Sequence, residues 1–254
     1  MLSDFNLEGK VAIVTGAAGG LGSAMAVGLA ESGADLILID KVSSKKTASA
    51  ITKTGRNFFS IELDLLALKP DDAMALVDYA TKHFGRIDIL VNNAGIIHRR
   101  PSVELNVIEW EETLSLNLNT VFYLSQAFAK HLLNNKKGGK IINIASMLSF
   151  QGGLMVASYT AAKSAIVGLT KALANEWAPN GINVNAIAPG YFKTKVTEGI
   201  YLDPHRHKKI IDRIPAGRWG TPADLKGTVV FLASNAASYL HGITIPVDGG
   251  WLAR

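Results

Sequence analysis

Tyr159 and Lys163 stand four residues apart in segment 158–177, where Ile166, Leu169, Leu173 and Trp177 recur at helical spacing, so phenol and ammonium share one helix face. An ammonium ~4 Å from a phenol, at an effective dielectric of ~20, favours the phenolate by ~4 kcal/mol, which moves its usual pKa of ~10 towards 7. Such a pair could move a proton at neutral pH. Taken alone, Tyr-x3-Lys is equally what two surface neighbours look like. Ser146 follows the apolar run 141–145 and so falls at the carboxyl edge of a strand, where open α/β sheets bind ligands and a hydroxyl can reach a substrate oxygen. Ser149 and Ser158 compete for that part from less favourable positions. Asn117 interrupts the apolar stripe Trp110, Leu114, Val121, Leu124 and Phe128, whereas Asn119 points away. A buried amide there must be hydrogen-bonded: it either holds a water connecting Lys163 to solvent or satisfies a neighbouring strand end.

A second chemistry lies in Thr15-Gly16-Ala17-Ala18-Gly19-Gly20-Leu21-Gly22, between an apolar run and the helix formers of 23–31. Glycines let the backbone approach a pyrophosphate, and free N–H groups at a helix start hold its charge. The spacing is Gly-x3-Gly-x-Gly, and a glycine turn serving only helix–strand packing looks the same. Asp40 ends the second apolar run eighteen residues beyond Gly22, where a dinucleotide-binding unit places the acceptor for ribose hydroxyls. Its charge favours NAD over NADP, because a 2′-phosphate would be repelled; Lys41 works against this, and a helix cap is the competing role for Asp40.

The elements that must position these groups are short β-branched runs at 11–15, 36–40, 58–63, 87–91, 140–145, 183–188 and 243–247, each followed by enough chain for a crossover helix. Nearly continuous in Ile, Val and Leu, they read as strands covered on both faces, hence a doubly wound parallel α/β sheet of about seven strands with helices on both sides. A closed barrel wants eight such units, and the glycine turn speaks for the open sheet. The long connection 189–222, with a short helical stretch at 206–212, reads as a lid or substrate loop on a single domain covering 1–254.

With 254 residues, 48% of them hydrophobic, the chain can bury a sizeable core, and its lack of cysteine excludes disulfides, thiolate catalysis and cysteine metal sites. The net charge of +5 is scattered, as in Lys45-Lys46, Lys136-Lys137 and Lys208-Lys209, which reads as solvated surface rather than a nucleic-acid footprint. No run approaches the ~18 apolar residues of a membrane span, and the opening residues lack a cationic start followed by an apolar stretch. A soluble cytoplasmic protein is expected.

In order and spacing from Lys10 to Gly250, the glycine turn, Asn92-Asn93-Ala94-Gly95, Asn117, Ser146, Tyr159-x3-Lys163 and Pro189-Gly190-x3-Thr194 resemble the short-chain dehydrogenase/reductase family. The resemblance implies a Rossmann-type sheet of order 3-2-1-4-5-6-7 and a metal-free hydride transfer between nicotinamide C4 and a carbinol or carbonyl carbon. It implies that Tyr159 accepts the proton in oxidation, Ser146 hydrogen-bonds the reacting oxygen and Asn117 holds a water. Lys163 would both depress the Tyr159 pKa and grip the nicotinamide ribose. The cofactor would lie along Gly16, Gly20, Leu21, Gly22 and Asp40, with Asn93, Ala94 and Gly95 lining it. Asp64 and Leu65 would meet adenine, and Pro189, Gly190 and Thr194 the nicotinamide amide. Relatives imply a homotetramer, joined through the long helices around Asn117 and Tyr159 and through the C-terminal strand.

Within the family, 92–97 followed by His98-Arg99-Arg100, together with 142–153, Asn175-Glu176-Trp177, 214–220 and 247–254, is similar to dehydrogenases of deoxy sugar acids. Gluconate dehydrogenases are similar but less close. The implied substrate is the C5 keto/hydroxyl pair of a 3-deoxy-hexulosonate, whose carboxylate calls for a cation or a set of donors. Candidates are Arg99 or Arg100, and Arg213 from the long loop, with Gln151 and Tyr191 as hydroxyl partners; Arg218 reads as a brace for the loop. A 3-oxoacyl-carrier-protein reductase is the enzymatic rival, against which Asp40 argues. A dinucleotide-binding protein without turnover is the other, against which the intact Asn117, Ser146, Tyr159 and Lys163 argue.

Overall fold

The computed structural model describes residues 3–254; Met1 and Leu2, which begin the opening stretch, lie outside the described residues. The apolar runs form β1 (Val11–Thr15), β2 (Asp35–Asp40), β3 (Phe58–Glu62), β4 (Ile89–Asn92), β5 (Gly139–Ile144), β6 (Ile182–Pro189) and β7 (Thr244–Val247). All pair in parallel in the order β3-β2-β1-β4-β5-β6-β7, so the chain builds the doubly wound sheet expected of it, with the order reversing between β1 and β4.

The helices are α1 (Gly20–Glu31), α2 (Lys45–Thr52), α3 (Pro70–Phe84), α4 (Val107–Leu114), α5 (Thr120–Asn134), α6 (Ala157–Trp177), α7 (Glu198–Tyr201), α8 (Pro204–Ile211) and α9 (Lys226–Ala233). Alternate strand residues serve opposite layers. Val14, Leu36 and Leu38 pack with Met25 and Leu29 of α1 and Val229 of α9, while Ile13, Ile37 and Leu90 pack with Val77 of α3, Phe128 of α5 and Trp177 of α6. Hence β1, β4 and β6 are buried at every residue. The expectation of two covered faces fails at β3: at the sheet margin, where the layers end, it alternates exposed and half-buried, with Phe58 37% exposed. β7, at the other margin, has no fully buried residue either.

The single helix expected over 110–128 is interrupted by a π-helical turn, Ser115–Asn119, between α4 and α5. One extra residue in a turn rotates the downstream helix by ~100° about the axis. The long connection after β6 has its own apolar cluster, Met147, Ile200, Ile210, Ile214, Trp219 and Trp251, which seats α7 and α8 beside the end of β5. No helix of the described residues is long and apolar enough to cross a membrane, and among the described residues no group of three His, Asp or Glu is placed to hold a metal.

Candidate active site

The glycine turn follows β1 at the point where the strand order reverses, with Gly16 and Gly20 at φ +65° and +55°. Gly22 is fixed by space: a Cβ would fall on the Gly16 carbonyl oxygen and 2.5 Å from Asn93 Nδ2. On its outer side the turn is open, for a Cβ on Gly19 would meet nothing within 4 Å and one on Gly20 only Thr194 at 3.8 Å. That bare backbone, leading into α1, is a surface on which a pyrophosphate can lie. The turn is held from outside. Asn93 Nδ2 donates to the Thr15 and Gly16 carbonyls (2.9 and 3.2 Å), and Thr47 of α2 donates to the Ala17 carbonyl (2.7 Å). Thr15 Oγ1 in turn accepts the Asn93 and Ala94 N–H groups (2.9 and 3.0 Å). Asn93, implied to line a cofactor, therefore commits its amide to shaping the turn.

Asp40 closes β2 and accepts N–H bonds from Ala18 (2.8 Å) and Val42 (3.2 Å). It ties the strand end to the glycine turn and does not cap α2, which begins at Lys45. Asp64 and Leu65 follow β3 on the same edge. Asp64 accepts the Leu66 N–H (3.0 Å), and Leu65 is buried with its carbonyl accepting the Thr120 hydroxyl (2.9 Å). Pro189 ends β6, Gly190 packs so that a Cβ would lie 2.7 Å from Asp248, and the chain returns with Thr194 over Gly20.

The three serines that competed on sequence are separated by their bonds. Ser149 Oγ accepts the Ser146 N–H (3.2 Å) and donates to the Lys163 carbonyl (2.6 Å), while fully buried Ser158 donates to Thr113 (3.2 Å). Ser146, just past β5, accepts the Leu148 N–H (3.1 Å) and is the one whose hydroxyl is near enough to the Tyr159 phenol to hold its pKa down. Lys163 is 3% exposed; its Nζ lies 5.7 Å from the centre of the Tyr159 ring and donates to the Ile144 carbonyl (2.6 Å). Burial lowers its pKa to about 8. The Tyr159 pKa is raised, by burial, with the Ser146 hydrogen bond and the Arg99 charge pulling it down. The structure departs from the expectation that Lys163 draws the phenol towards 7: the ammonium is turned to the Ile144 carbonyl, and burial holds the phenol above its ordinary value against the Ser146 hydroxyl and the Arg99 charge.

Asn117 sits in the π-helical turn with no exposed surface. Its Nδ2 donates to the Ile96 and Thr113 carbonyls (2.9 Å each), which serves the segment leaving β4. Its Oδ1 has no partner among the described residues and faces Gly95, where a Cβ would stand 2.5 Å away.

Of the candidate substrate residues, Arg100 is taken: it donates to both carboxylate oxygens of Glu109 (2.8 and 3.0 Å), which raises its own pKa. Among the described residues Arg99 has no such partner; burial lowers its pKa, the Arg206 charge adds to this, and Tyr159 and Tyr191 oppose it. Tyr191 stands edge-on to Trp219 and Trp251 (5.2 and 4.9 Å). Its pKa is raised by burial against the charges of Arg206, Arg213 and Arg99. Arg213 lies 4.0 Å over Trp251 and donates to Gln151 (3.3 Å). The structure thus brings Arg213 to Gln151, sets the charges of Arg99 and Arg213 about Tyr191, and pairs Arg100 with Glu109 instead. Arg218 forks onto Asp224 (2.8 and 2.9 Å) at the end of the long connection. Arg206 was not among the candidates, since a cation in a highly charged short helix has no distinguishing sequence signal.

A family profile described as Enoyl-(Acyl carrier protein) reductase matches residues 16–252. The chain is 55% identical over 254 residues to the 2-dehydro-3-deoxy-D-gluconate 5-dehydrogenase of Escherichia coli (strain K12), and 54% identical to that of Dickeya dadantii (strain 3937), covering 100% of each chain in both cases. A crystal structure from Agrobacterium tumefaciens, described as a candidate 2-deoxy-D-gluconate 3-dehydrogenase with bound NADP, superposes with a TM-score of 0.93 at 52% identity, covering 99% of this chain and 100% of that one. The chain belongs to the short-chain dehydrogenase/reductase family, the NAD(P)-dependent oxidoreductases of CH–OH groups.

Proposed function

We propose that the chain is an NAD-dependent sugar-acid dehydrogenase that interconverts the C5 hydroxyl and ketone of a 3-deoxy-hexulosonate, the activity for which its relatives in Escherichia coli and Dickeya dadantii are named. The observation that carries this reading is a hydroxyl-and-phenol pair, Ser146 and Tyr159, with Arg99 beside it, which has no carboxylate partner among the described residues. Such a site suits a hydroxy acid better than a neutral alcohol or a thioester.

The open glycine turn, Asp40 at the end of β2 and Asp64 and Leu65 past β3 fit a dinucleotide laid across the carboxyl edge. NAD, when bound, supplies the hydride acceptor. Tyr159 takes the proton from the substrate hydroxyl, and Ser146 orients that oxygen. Arg99 and the Ser146 hydrogen bond favour the phenolate, while Lys163 grips the nicotinamide ribose. Asn117 Oδ1, an acceptor without a partner among the described residues, receives a water through which the proton leaves. Asp40 favours NAD over NADP by repelling a 2′-phosphate. In this reading residues 1–254 act as one dinucleotide-binding and catalytic unit, a cytoplasmic homotetramer with 189–222 as its substrate loop and neither nucleic acid nor membrane as a partner.

The test is a panel of hexonates, 2-keto-3-deoxyhexonates and acyl thioesters, each assayed with NAD(H) and NADP(H). Turnover of the 3-deoxy-hexulosonate with NAD(H) is expected. Turnover of the thioesters alone, with NADPH, overturns the reading in favour of a carrier-protein reductase.

A further inference from the structure

A hexulosonate that reacts at C5 presents its carboxylate at the far end of the molecule, so the anion binds away from the Tyr159 hydroxyl. α8 packs on the Tyr191 side of the site: His207 lies parallel to Trp219 with ring centres 6.0 Å apart, and Trp219 meets Tyr191 edge-on at 5.2 Å. Arg206, the residue before His207, is thereby set on that side, and its charge is felt at Tyr191 as that of Arg99 is.

The backbone that carries Arg206 is fixed. Asp203 caps α8 by accepting the His205 and Arg206 N–H groups (2.9 and 3.1 Å), and His207 stands between Tyr201 and Trp219 (4.9 and 6.0 Å). Ile210, four residues on and therefore on the Arg206 face of the helix, is buried in the cluster that includes Met147, the residue after Ser146. The side chain is not fixed in the same way. Among the described residues its guanidinium makes no ion pair and no hydrogen bond, while Arg213 is already seated on Trp251 and Gln151. Its charged neighbour is another guanidinium, Arg99. Two such groups repel until one carboxylate lies between them and accepts from both.

We propose that Arg206 is the second jaw of a carboxylate clamp, closed against Arg99 from the far side of the substrate, and that it sets the preference for acidic over neutral hydroxy substrates. The proposal rests on the sugar-acid reading above and names the group that enforces it. Because α8 belongs to the connection over the carboxyl edge, the substrate carboxylate would also hold that connection in place.

The test compares kcat/KM for a 2-keto-3-deoxyhexonate with that for its neutral analogue, in which C1 is a hydroxymethyl group, for the wild type, Arg206→Ala and Arg206→Lys. The acid-to-neutral ratio is expected to fall at least tenfold in Arg206→Ala, mainly through KM for the acid, and to be partly restored in Arg206→Lys, which keeps the charge and loses the fork. A ratio in Arg206→Ala equal to that of a wild type that prefers the acid overturns the clamp and leaves the sugar-acid reading intact. A wild type with no preference for the acid overturns both.

Discussion

Asp40→Asn isolates the charge that is proposed to choose the cofactor. The carboxylate accepts N–H bonds from Ala18 at 2.8 Å and Val42 at 3.2 Å, and an asparagine oxygen can keep the shorter of these, so the glycine turn loses only the weaker, exposed bond, worth about 1 kcal/mol. The effect on a 2′-phosphate is larger. Each unit of its charge of about −1.5 to −2, brought within ~5 Å at an effective dielectric of ~20, meets about 3 kcal/mol of repulsion, which physiological salt roughly halves. The total is about 3 kcal/mol, or on the order of 100-fold in the NAD-to-NADP ratio of kcat/KM. Initial rates with both cofactors at fixed ionic strength measure that ratio directly. The ratio should fall because NADP improves, with NAD changing little, and the gap between wild type and variant should shrink in 1 M salt, where the screening length is ~3 Å. A ratio that stays put, or that moves because NAD weakens, refutes the electrostatic account and leaves Asp40 as a brace for the turn.

Tyr159→Phe should reduce kcat/KM by at least about 10³-fold while NADH affinity, followed by fluorescence, shifts less than threefold; retained turnover would remove the phenol's acid–base role. Thr15→Val keeps shape but strips the Asn93 and Ala94 N–H groups of their acceptor, at about 1–3 kcal/mol each. The thermal midpoint should drop by roughly 10 °C relative to Thr15→Ser, and equal midpoints would show that those bonds are replaceable. Lys163 titrates near 8 when folded and near 10.5 when unfolded, so the unfolded chain binds more protons between those values and stability rises with pH across that window. Lys140, also lowered to about 8, adds to the same slope. Lys163→Met should flatten part of it in denaturant titrations from pH 7.5 to 10.5, and an unchanged slope would mean that the ammonium is not buried as described.

Legibility in the sequence depended on where burial is two-sided. β1, β4 and β6 are buried at every residue and mostly apolar, so their runs stood out, and the groups placed relative to strand ends, Gly16, Asp40 and Ser146, were found with them. β3 was placed correctly but taken as covered on both faces, because Phe58 and Ile61 look alike whether a strand is central or marginal. Spacing put Tyr159 and Lys163 on one helix face, yet it could not tell which acceptor the ammonium takes, since the Ile144 carbonyl comes from another element. The choice between Arg99 and Arg100 turned on Glu109, nine residues after Arg100, and Arg206 gained meaning only from neighbours supplied by distant segments. The inward position of Asn117 was read correctly from the apolar stripe, although the π-helical turn that produces it leaves no compositional mark.

These details have one energetic theme. Four cations, Lys163, Arg99, Arg206 and Arg213, stand about two phenols, and among the described residues no carboxylate pairs with any of them. Lowering a lysine from 10.5 to about 8 in the folded chain corresponds to a cost of about 3 kcal/mol at neutral pH for keeping that one ammonium charged. Arg99 carries a cost of the same sign, since burial and Arg206 both disfavour its charge. A fold that needed only stability would neutralise such groups, as Asp224 does for Arg218 and Glu109 for Arg100. On the sugar-acid reading a substrate carboxylate completes the arginines and turns part of that standing penalty into binding energy, so the residues that make the free protein less stable are the ones that select an acid.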